Sequence, residues 1–123
     1  MRPLFHPAAS DITVEGILHA LSDPVRVHIF AKIANANGPQ TCSAFLEVSD
    51  KVVPKSTLSQ HFNVLRQAGL IRSERKGVEM LNTARHDELH ERFGALIMAI
   101  IEAHAAQRER GLRAKRTRRA KAA

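Results

Sequence analysis

Apolar residues recur at helical spacing in the first third of the chain, and turn-forming residues separate the stretches. Residues 11–21 place apolar side chains three or four positions apart, which predicts a short first helix. A second helix should begin after Asp23, a favourable N-cap residue, because Pro24 suits the first turn, where its missing N–H costs nothing. The run NANGP should end this helix, and Thr41 can cap a third helix over the segment CSAFLEV.

Residues 54–68 predict a fourth helix whose two faces differ in chemistry. Leu58, Phe62 and Leu65 form an apolar face, and a glycine follows the helix as its terminator. The opposite face is short, polar and free of acidic residues: Lys55, Ser56, Ser59, Gln60 and Asn63. Most surface helices cover their outer face with long Glu and Lys side chains, so this composition needs a functional explanation.

After Gly69 the pattern changes from helical to strand-like. Two short apolar runs, residues 70–71 and 78–81, flank the segment SERKG, which predicts a β-hairpin with Gly77 in its turn. A long last helix over about 86–108 has these positions at helical spacing: Leu89, Phe93, Leu96, Ile97, Ile100, Ile101 and His104. This apolar sector is wider than a small core requires, which indicates burial against a second chain.

Together these elements predict a mainly α fold with a small two-stranded β-wing, that is, a dimeric winged helix-turn-helix. The third and fourth helices would form the helix-turn-helix pair, and the hairpin would form the wing. We expect an irregular N-terminal arm over residues 1–10. The folded domain should span residues 11–107.

The acid-free face of the fourth helix is suited to the major groove of DNA. Phosphates would repel carboxylates, whereas hydroxyl, amide and ammonium groups can pair with base edges. The N-terminal half of such a helix meets the bases, and its free N–H groups favour phosphate. The alternative is a polar, solvated helix beside a basic turn. The predicted DNA-binding residues, including two at the hairpin tip, are Lys55, Ser56, Thr57, Ser59, Gln60, His61, Arg75 and Lys76.

The formal net charge of +7 is confined to one end of the chain. Residues 108–123 hold eight Lys or Arg and one Glu, whereas residues 1–107 hold eleven basic and eleven acidic residues. A block of like charges repels itself and is usually disordered, and such tails commonly bind polyanions. We therefore expect a disordered basic tail over 108–123. The alternatives are a solubilising end or a helical extension without a target.

Composition narrows the class of protein further. Hydrophobic residues make up 44% of the chain, enough for one small core, and no apolar run approaches a membrane span of about 20 residues. The N-terminus lacks the apolar run of a signal peptide, and the lone Cys42 excludes an intrachain disulfide. These features fit a reducing cytoplasm. No nucleophile–base pair, Gly-rich phosphate loop or cysteine pair indicates an enzyme.

Two segments, LHALSDPVRVHIFAKIA and KSTLSQHFNVLRQAGLIRSERKGVEMLNT, together resemble the ArsR/SmtB family of dimeric winged-helix repressors over about residues 13–104. The resemblance implies a cytoplasmic homodimer, paired through its first and last helices, on an operator of inverted-repeat character. It also implies release by an inducer, often a metal ion. The interface residues would be Ile17, Leu18, Phe93, Leu96, Ile97, Ile100 and Ile101.

The resemblance permits a test for a metal site in the last helix, where zinc-type members of the family carry four ligands. One alignment gives Glu88 and His90 with Ile101 and His104, and the other gives His86 and Glu88 with Ala99 and Glu102. Each alignment lacks one of the four donors of tetrahedral zinc, so we predict no high-affinity zinc site. The remaining metal candidates, in a divalent site shared between chains, are His86, Glu88, His90 and His104. The alternative is that they are solvated.

Cys42 is the other candidate sensor. It stands alone in TCSAF, where the arsenic, cadmium and lead sensors of the family carry a Cys-x-Cys type motif, and the insertion VSDKVV precedes the fourth helix. A nearby helix N-terminus would favour the thiolate, which could form a mixed or intermolecular disulfide. A buried, unreactive cysteine is the commoner alternative.

The sequence therefore favours a sequence-specific transcriptional repressor whose signal is unidentified. A redox-responsive regulator acting through Cys42 is an alternative within that class. A different class is a nucleic-acid-binding protein without sequence preference, driven by the basic tail. A winged helix that binds only protein is a third, and the acid-free face of residues 54–68 disfavours it.

Overall fold

The computed structural model describes residues 4–45, 47–48 and 51–122. The helices are α1 (Val14–Ala20), α2 (Pro24–Asn35), α3 (Lys55–Gln67) and α4 (His86–Ala122). The strands are β1 (Gln40–Thr41), β2 (Glu47–Val48), β3 (Lys51–Val52), β4 (Ile71–Lys76) and β5 (Glu79–Ala84). The mainly α fold with a wing is therefore confirmed.

The wing is an antiparallel hairpin of β4 and β5, paired from Ile71–Ala84 at its base to Lys76–Glu79 at its tip. Gly77 adopts a φ of 61° in the turn, a left-handed conformation that glycine tolerates without strain. β1 adds a third strand on the other side of β5, so the sheet order is β1-β5-β4. The sequence predicted only two strands, because a two-residue strand carries no periodic signal.

The core forms where α2 packs against α3, α4 and β5. Asp23 caps α2 as predicted, since its Oδ1 accepts hydrogen bonds from the N–H groups of Val25 at 2.8 Å and Arg26 at 3.4 Å. The largest fully buried aliphatic and aromatic side chains come from all parts of the domain: Ile12, Ile17, Ile29, Leu58, Phe62, Leu65, Leu70 and Ile71. Among the described residues, no helix is long and apolar enough to cross a membrane.

The predicted third helix over CSAFLEV is wrong. Residues Cys42–Phe45 form only a 3-10 turn, and β2 then pairs with β3. Thr41 does not cap a helix, because it lies in β1 opposite Leu81, and its Oγ1 is 3.2 Å from the Oγ of Ser43. Phe45 turns inward and packs edge-on against Phe62, with ring centroids 5.6 Å apart. Residues 46 and 49–50 of this region lie outside the described residues.

The two ends of the chain are more ordered than the sequence indicated. α4 runs to Ala122, so residues 108–122 are helical where we expected disorder. The Ala, Arg, Lys and Leu residues of this segment are good helix formers, and no proline interrupts them. The N-terminal arm is irregular, as expected, up to a 3-10 turn at Ala9–Asp11. It is nevertheless packed, since Arg85 donates a 2.8 Å hydrogen bond to the carbonyl oxygen of Pro7.

Candidate nucleic-acid interface

α3 presents its polar face to solvent because its apolar face is fully used by the core. Leu58, Phe62 and Leu65 are at most 1% exposed, which sets the rotation of the helix. The side chains on the opposite face are all exposed: Lys55, Ser56, Thr57, Ser59, Gln60 and Asn63. The first N–H groups of α3 have no intrahelical acceptor, so this helix end favours an anion.

The wing lies beside this face and completes a basic cleft of about 480 Å³. Strand alternation places Arg75 opposite Met80 on the cleft side, whereas Lys76 pairs with Glu79 on the other face. The walls of the cleft contain no acidic residue and consist of Cys42, Ser43, Lys55, Ser56, Leu58, Ser59, Arg75, Val78 and Met80. Four residues of the predicted set therefore line this cleft: Lys55, Ser56, Ser59 and Arg75.

His61 is held differently from the rest of the predicted set. It is half-buried, and its Nδ1 accepts from Nη1 of Arg26 at 3.3 Å, since a guanidinium has only donors. The same Arg26 donates from Nε to the carbonyl of Ala20 at 2.6 Å and from Nη2 to that of His19 at 3.2 Å. Arg26 therefore joins the end of α1 to α3, and His61 serves this junction.

A buried polar network behind the cleft was not predicted from the sequence. Asn82 is fully buried, and its Oδ1 accepts from the Ser73 hydroxyl at 2.7 Å while its Nδ2 donates to the carbonyl of Gln40 at 3.0 Å. Its Nδ2 also lies 3.5 Å from the sulfur of Cys42, which is half-buried. The sequence did contain one signal for this network, the inward position of Asn82 in an alternating strand. A buried amide at such a position needs hydrogen-bond partners. The network positions Cys42 against the wing.

Arg66 is a second unpredicted buried group, on the inner side of α3. It is 9% exposed, and its Nη1 donates to Oδ1 of Asn63 at 3.2 Å. Burial lowers the pKa of the Arg66 guanidinium, because desolvation disfavours the charged form. Arg66 does not line the cleft, and its buried Nε has no hydrogen-bond partner among the described residues.

The metal candidates of α4 do not converge within one chain. Glu88 accepts hydrogen bonds from Arg85 and Arg72, and the bonds from Arg85 are the main reason why the pKa of Glu88 is lowered. His86 Nε2 lies 3.1 Å from the carbonyl oxygen of Ala34. His90 and His104 are separated by 14 residues of helix, or about 21 Å. Across the described ranges, no three His, Cys, Asp or Glu side chains are grouped as a metal site would require.

The predicted dimer residues divide into two groups. Ile17, Phe93 and Ile97 are 0%, 4% and 6% exposed and belong to the chain's own core. The other predicted residues, Leu18, Leu96, Ile100 and Ile101, are half-buried or exposed. Large apolar side chains that remain 42–54% exposed on α1 and the middle of α4 are Val14, Leu18 and Met98. These positions are the ones available to a second chain.

An exposed, acid-free helix beside a basic wing defines a DNA-binding protein of the winged helix-turn-helix class. A family model described as a helix-turn-helix domain matches residues 21–74. The chain is similar to an ArsR-like transcriptional regulator from Rhodococcus sp. RHA1, with 25% identity, a TM-score of 0.52, and coverage of 84% of this chain and 89% of that one. It is also similar to Rv0081 of M. tuberculosis, with 25% identity, a TM-score of 0.51, and coverage of 91% and 97%.

A third structure, of an ArsR-family regulator called RHA00566, shares the fold alone, with 19% identity, a TM-score of 0.53, and coverage of 89% and 97%. No curated protein sequence matches the chain. The resemblance to ArsR-family winged helix-turn-helix transcription regulators is confirmed. Regulators of this class act by binding DNA and are generally not enzymes.

Proposed function

We propose that the protein is a homodimeric repressor that binds an operator sequence in the cytoplasm and leaves it when a signal arrives. The observation that carries this proposal is the cleft in which the acid-free face of α3 adjoins Arg75 of the wing. The short polar side chains of α3 would recognise the bases of the operator. The wing would contact the DNA backbone and so position the protein along the duplex, because phosphate contacts position a protein and base contacts specify the sequence.

Gln60 is the strongest candidate for base recognition. It is exposed on the same face as Ser56 and Ser59, one turn from the N-terminus of α3. Its side-chain amide can donate a hydrogen bond to N7 of adenine and accept one from the N6 amino group. No other base offers this pair of contacts. Lys55 and Arg75 stand on opposite walls of the cleft, where both can meet phosphates that flank the groove.

A second copy of the chain would double this surface about a two-fold axis. The exposed apolar side chains Val14, Leu18 and Met98 lie on α1 and α4, the helices expected to pair. A two-fold symmetric dimer places two α3 helices on half-sites of opposite orientation, so the operator should be an inverted repeat.

Replacing Gln60 by alanine should cost about 1–3 kcal/mol on the operator and little on random DNA, because the lost contact is to a base. Replacing Arg75 by alanine should weaken both complexes about equally, because a phosphate contact is independent of sequence. The measurement is fluorescence anisotropy on an operator selected from a random library, with a scrambled duplex of the same length for comparison.

Gln67→Ala provides the matched control, since Gln67 is an exposed glutamine at the far end of the same helix. It should leave both affinities unchanged. If Gln60→Ala and Arg75→Ala weaken both duplexes to the same extent, Gln60 is not a base contact and the recognition face has been misassigned.

The signal could act directly on the cleft through Cys42. This thiol lines the cleft together with Lys55 and Ser56, so an adduct there would occupy space that the DNA backbone needs. Alkylation by N-ethylmaleimide is selective because the chain has one cysteine. We expect it to weaken operator binding by tenfold or more, whereas Cys42→Ser protein should bind normally before and after treatment.

Retention of full affinity by the stoichiometrically alkylated wild-type protein would exclude a thiol signal at this position. A metal signal through Glu88 would have to displace the ion pairs of its carboxylate with Arg85 and Arg72.

A further inference from the structure

α4 continues well beyond the last side chain that packs against the domain. Arg108 marks this point, since its Nη1 lies 2.8 Å from Nδ1 of His28 on α2. Residues 109–122, here called the distal helix, are exposed throughout. Their side-chain contacts in the described chain stay within α4, as in the 3.0 Å bond from Thr117 to the carbonyl of Arg113.

The distal helix carries seven basic residues and one acidic residue, Glu109. Fourteen helical residues span about 21 Å, so the helix carries about one positive charge for every 3 Å of its length. Successive positions rotate by about 100°, which distributes the seven cations around the whole circumference. Pairs such as Lys115 and Arg119, four residues apart, repel each other and destabilise an isolated helix.

The charge pattern selects among binding partners. An amphipathic helix on a membrane surface needs an apolar face, and Leu112 is the one large apolar residue of the distal helix. A helix that packs on another protein also needs an apolar stripe. Cations on every side instead suit a polyanion, whose charges relieve the repulsion within the helix.

We propose that the distal helix is a second DNA-binding element, which contacts the phosphates of duplex DNA outside the operator. This proposal rests on the proposed function, because α3 and the wing hold the duplex close to the same chain. The distal helix continues α4 directly from Arg108, which contacts His28 of α2, so a chain bound to DNA keeps these cations at a high local concentration near the duplex. Contacts to phosphate carry no sequence information.

The test uses the full-length chain with six cations of the distal helix replaced by glutamine, a good helix former. The substitutions are Arg113→Gln, Lys115→Gln, Arg116→Gln, Arg118→Gln, Arg119→Gln and Lys121→Gln. On random duplex DNA, each neutralised phosphate contributes about −0.9 to the slope of log K against log salt. The slope should become shallower by about 3–5 per chain, depending on how many of the six charges engage.

A charge-preserving variant is the matched control, with Arg113→Lys, Arg116→Lys, Arg118→Lys and Arg119→Lys. It should keep the wild-type slope, because point charges suffice for phosphate. Both variants should keep the wild-type melting temperature, since the distal helix packs against no other element in the described chain.

An unchanged salt slope in the glutamine variant would overturn the proposal. Stronger binding of the wild-type protein to duplex RNA, or to phosphatidylserine–phosphatidylcholine vesicles, than to random duplex DNA would overturn the assignment to DNA. A shallower slope in the glutamine variant, together with a wild-type protein that does not prefer the operator, would support this proposal while contradicting the proposed function.

Discussion

Replacing Ile97 by glutamate should unfold the protein, whereas the same substitution at the neighbouring Met98 should leave it folded and separate the dimer. Ile97 is 6% exposed in the chain's own core, and Met98 is 54% exposed. An unpaired buried charge costs about 3–5 kcal/mol, a large part of the 5–15 kcal/mol that stabilises a typical domain. Circular dichroism reports the fold, and light scattering reports the mass of the particle.

The two neighbours control for each other, because they share a helix, a substitution and a change in charge. Leu18→Glu extends the comparison to α1, since Leu18 is 47% exposed and should also yield a folded monomer. A wild-type protein that is monomeric at micromolar concentration would contradict the proposed dimer. A dimer that persists in both Met98→Glu and Leu18→Glu would show that another surface pairs.

Replacing Gly69 by alanine should lower the free energy of unfolding by about 2–4 kcal/mol, from left-handed backbone strain and overpacking together. Gly69 ends α3 with a φ of 85°, and an added Cβ would lie 2.5 Å from Cγ1 of Ile12. Ile12 is itself 2% exposed and has little room to move. Urea denaturation of the purified protein measures the change.

Substitutions at two other glycines distinguish the backbone strain from the overpacking in the cost of Gly69→Ala. Gly77 also has a positive φ, but a Cβ there meets nothing within 4 Å, so Gly77→Ala should cost only about 1–2 kcal/mol of backbone strain. Gly38→Ala has neither a contact within 4 Å nor a positive φ and should change stability little. If Gly69→Ala costs no more in wild type than in an Ile12→Ala background, the contact with Ile12 is not the source of the strain.

Local sequence patterns were sufficient to predict the surface on which the proposed function rests. The rotation of α3 followed from Leu58, Phe62 and Leu65, because burial of one helical face exposes the other. The hairpin followed from two apolar runs around Gly77, since a short turn joins antiparallel strands. Most of the predicted contact residues accordingly lie on one exposed surface, whose binding to DNA remains a prediction.

Sequence periodicity failed where distant segments compete for the same residues. Gln40 and Thr41 pair with Asn82 and Leu81, about forty positions away, and this pairing takes Thr41 away from the helix it was expected to cap. His61 lies 3.3 Å from Arg26, which is 35 residues earlier, and the sequence did not predict this contact. The sequence around these residues contains no local pattern that predicts either contact.

The difference between the features that the sequence predicted and those that it missed has a physical basis. Helical and strand periods, caps and charge are properties of neighbouring residues, so the sequence alone was enough to predict α3, the wing and the basic end of the chain. Which apolar residues fill one chain's core and which remain for a partner depends on how helices pack in three dimensions. Only the tertiary structure therefore shows that Ile97 is buried while the neighbouring Met98 is exposed. It alone also shows that Cys42 lines the cleft between α3 and the wing.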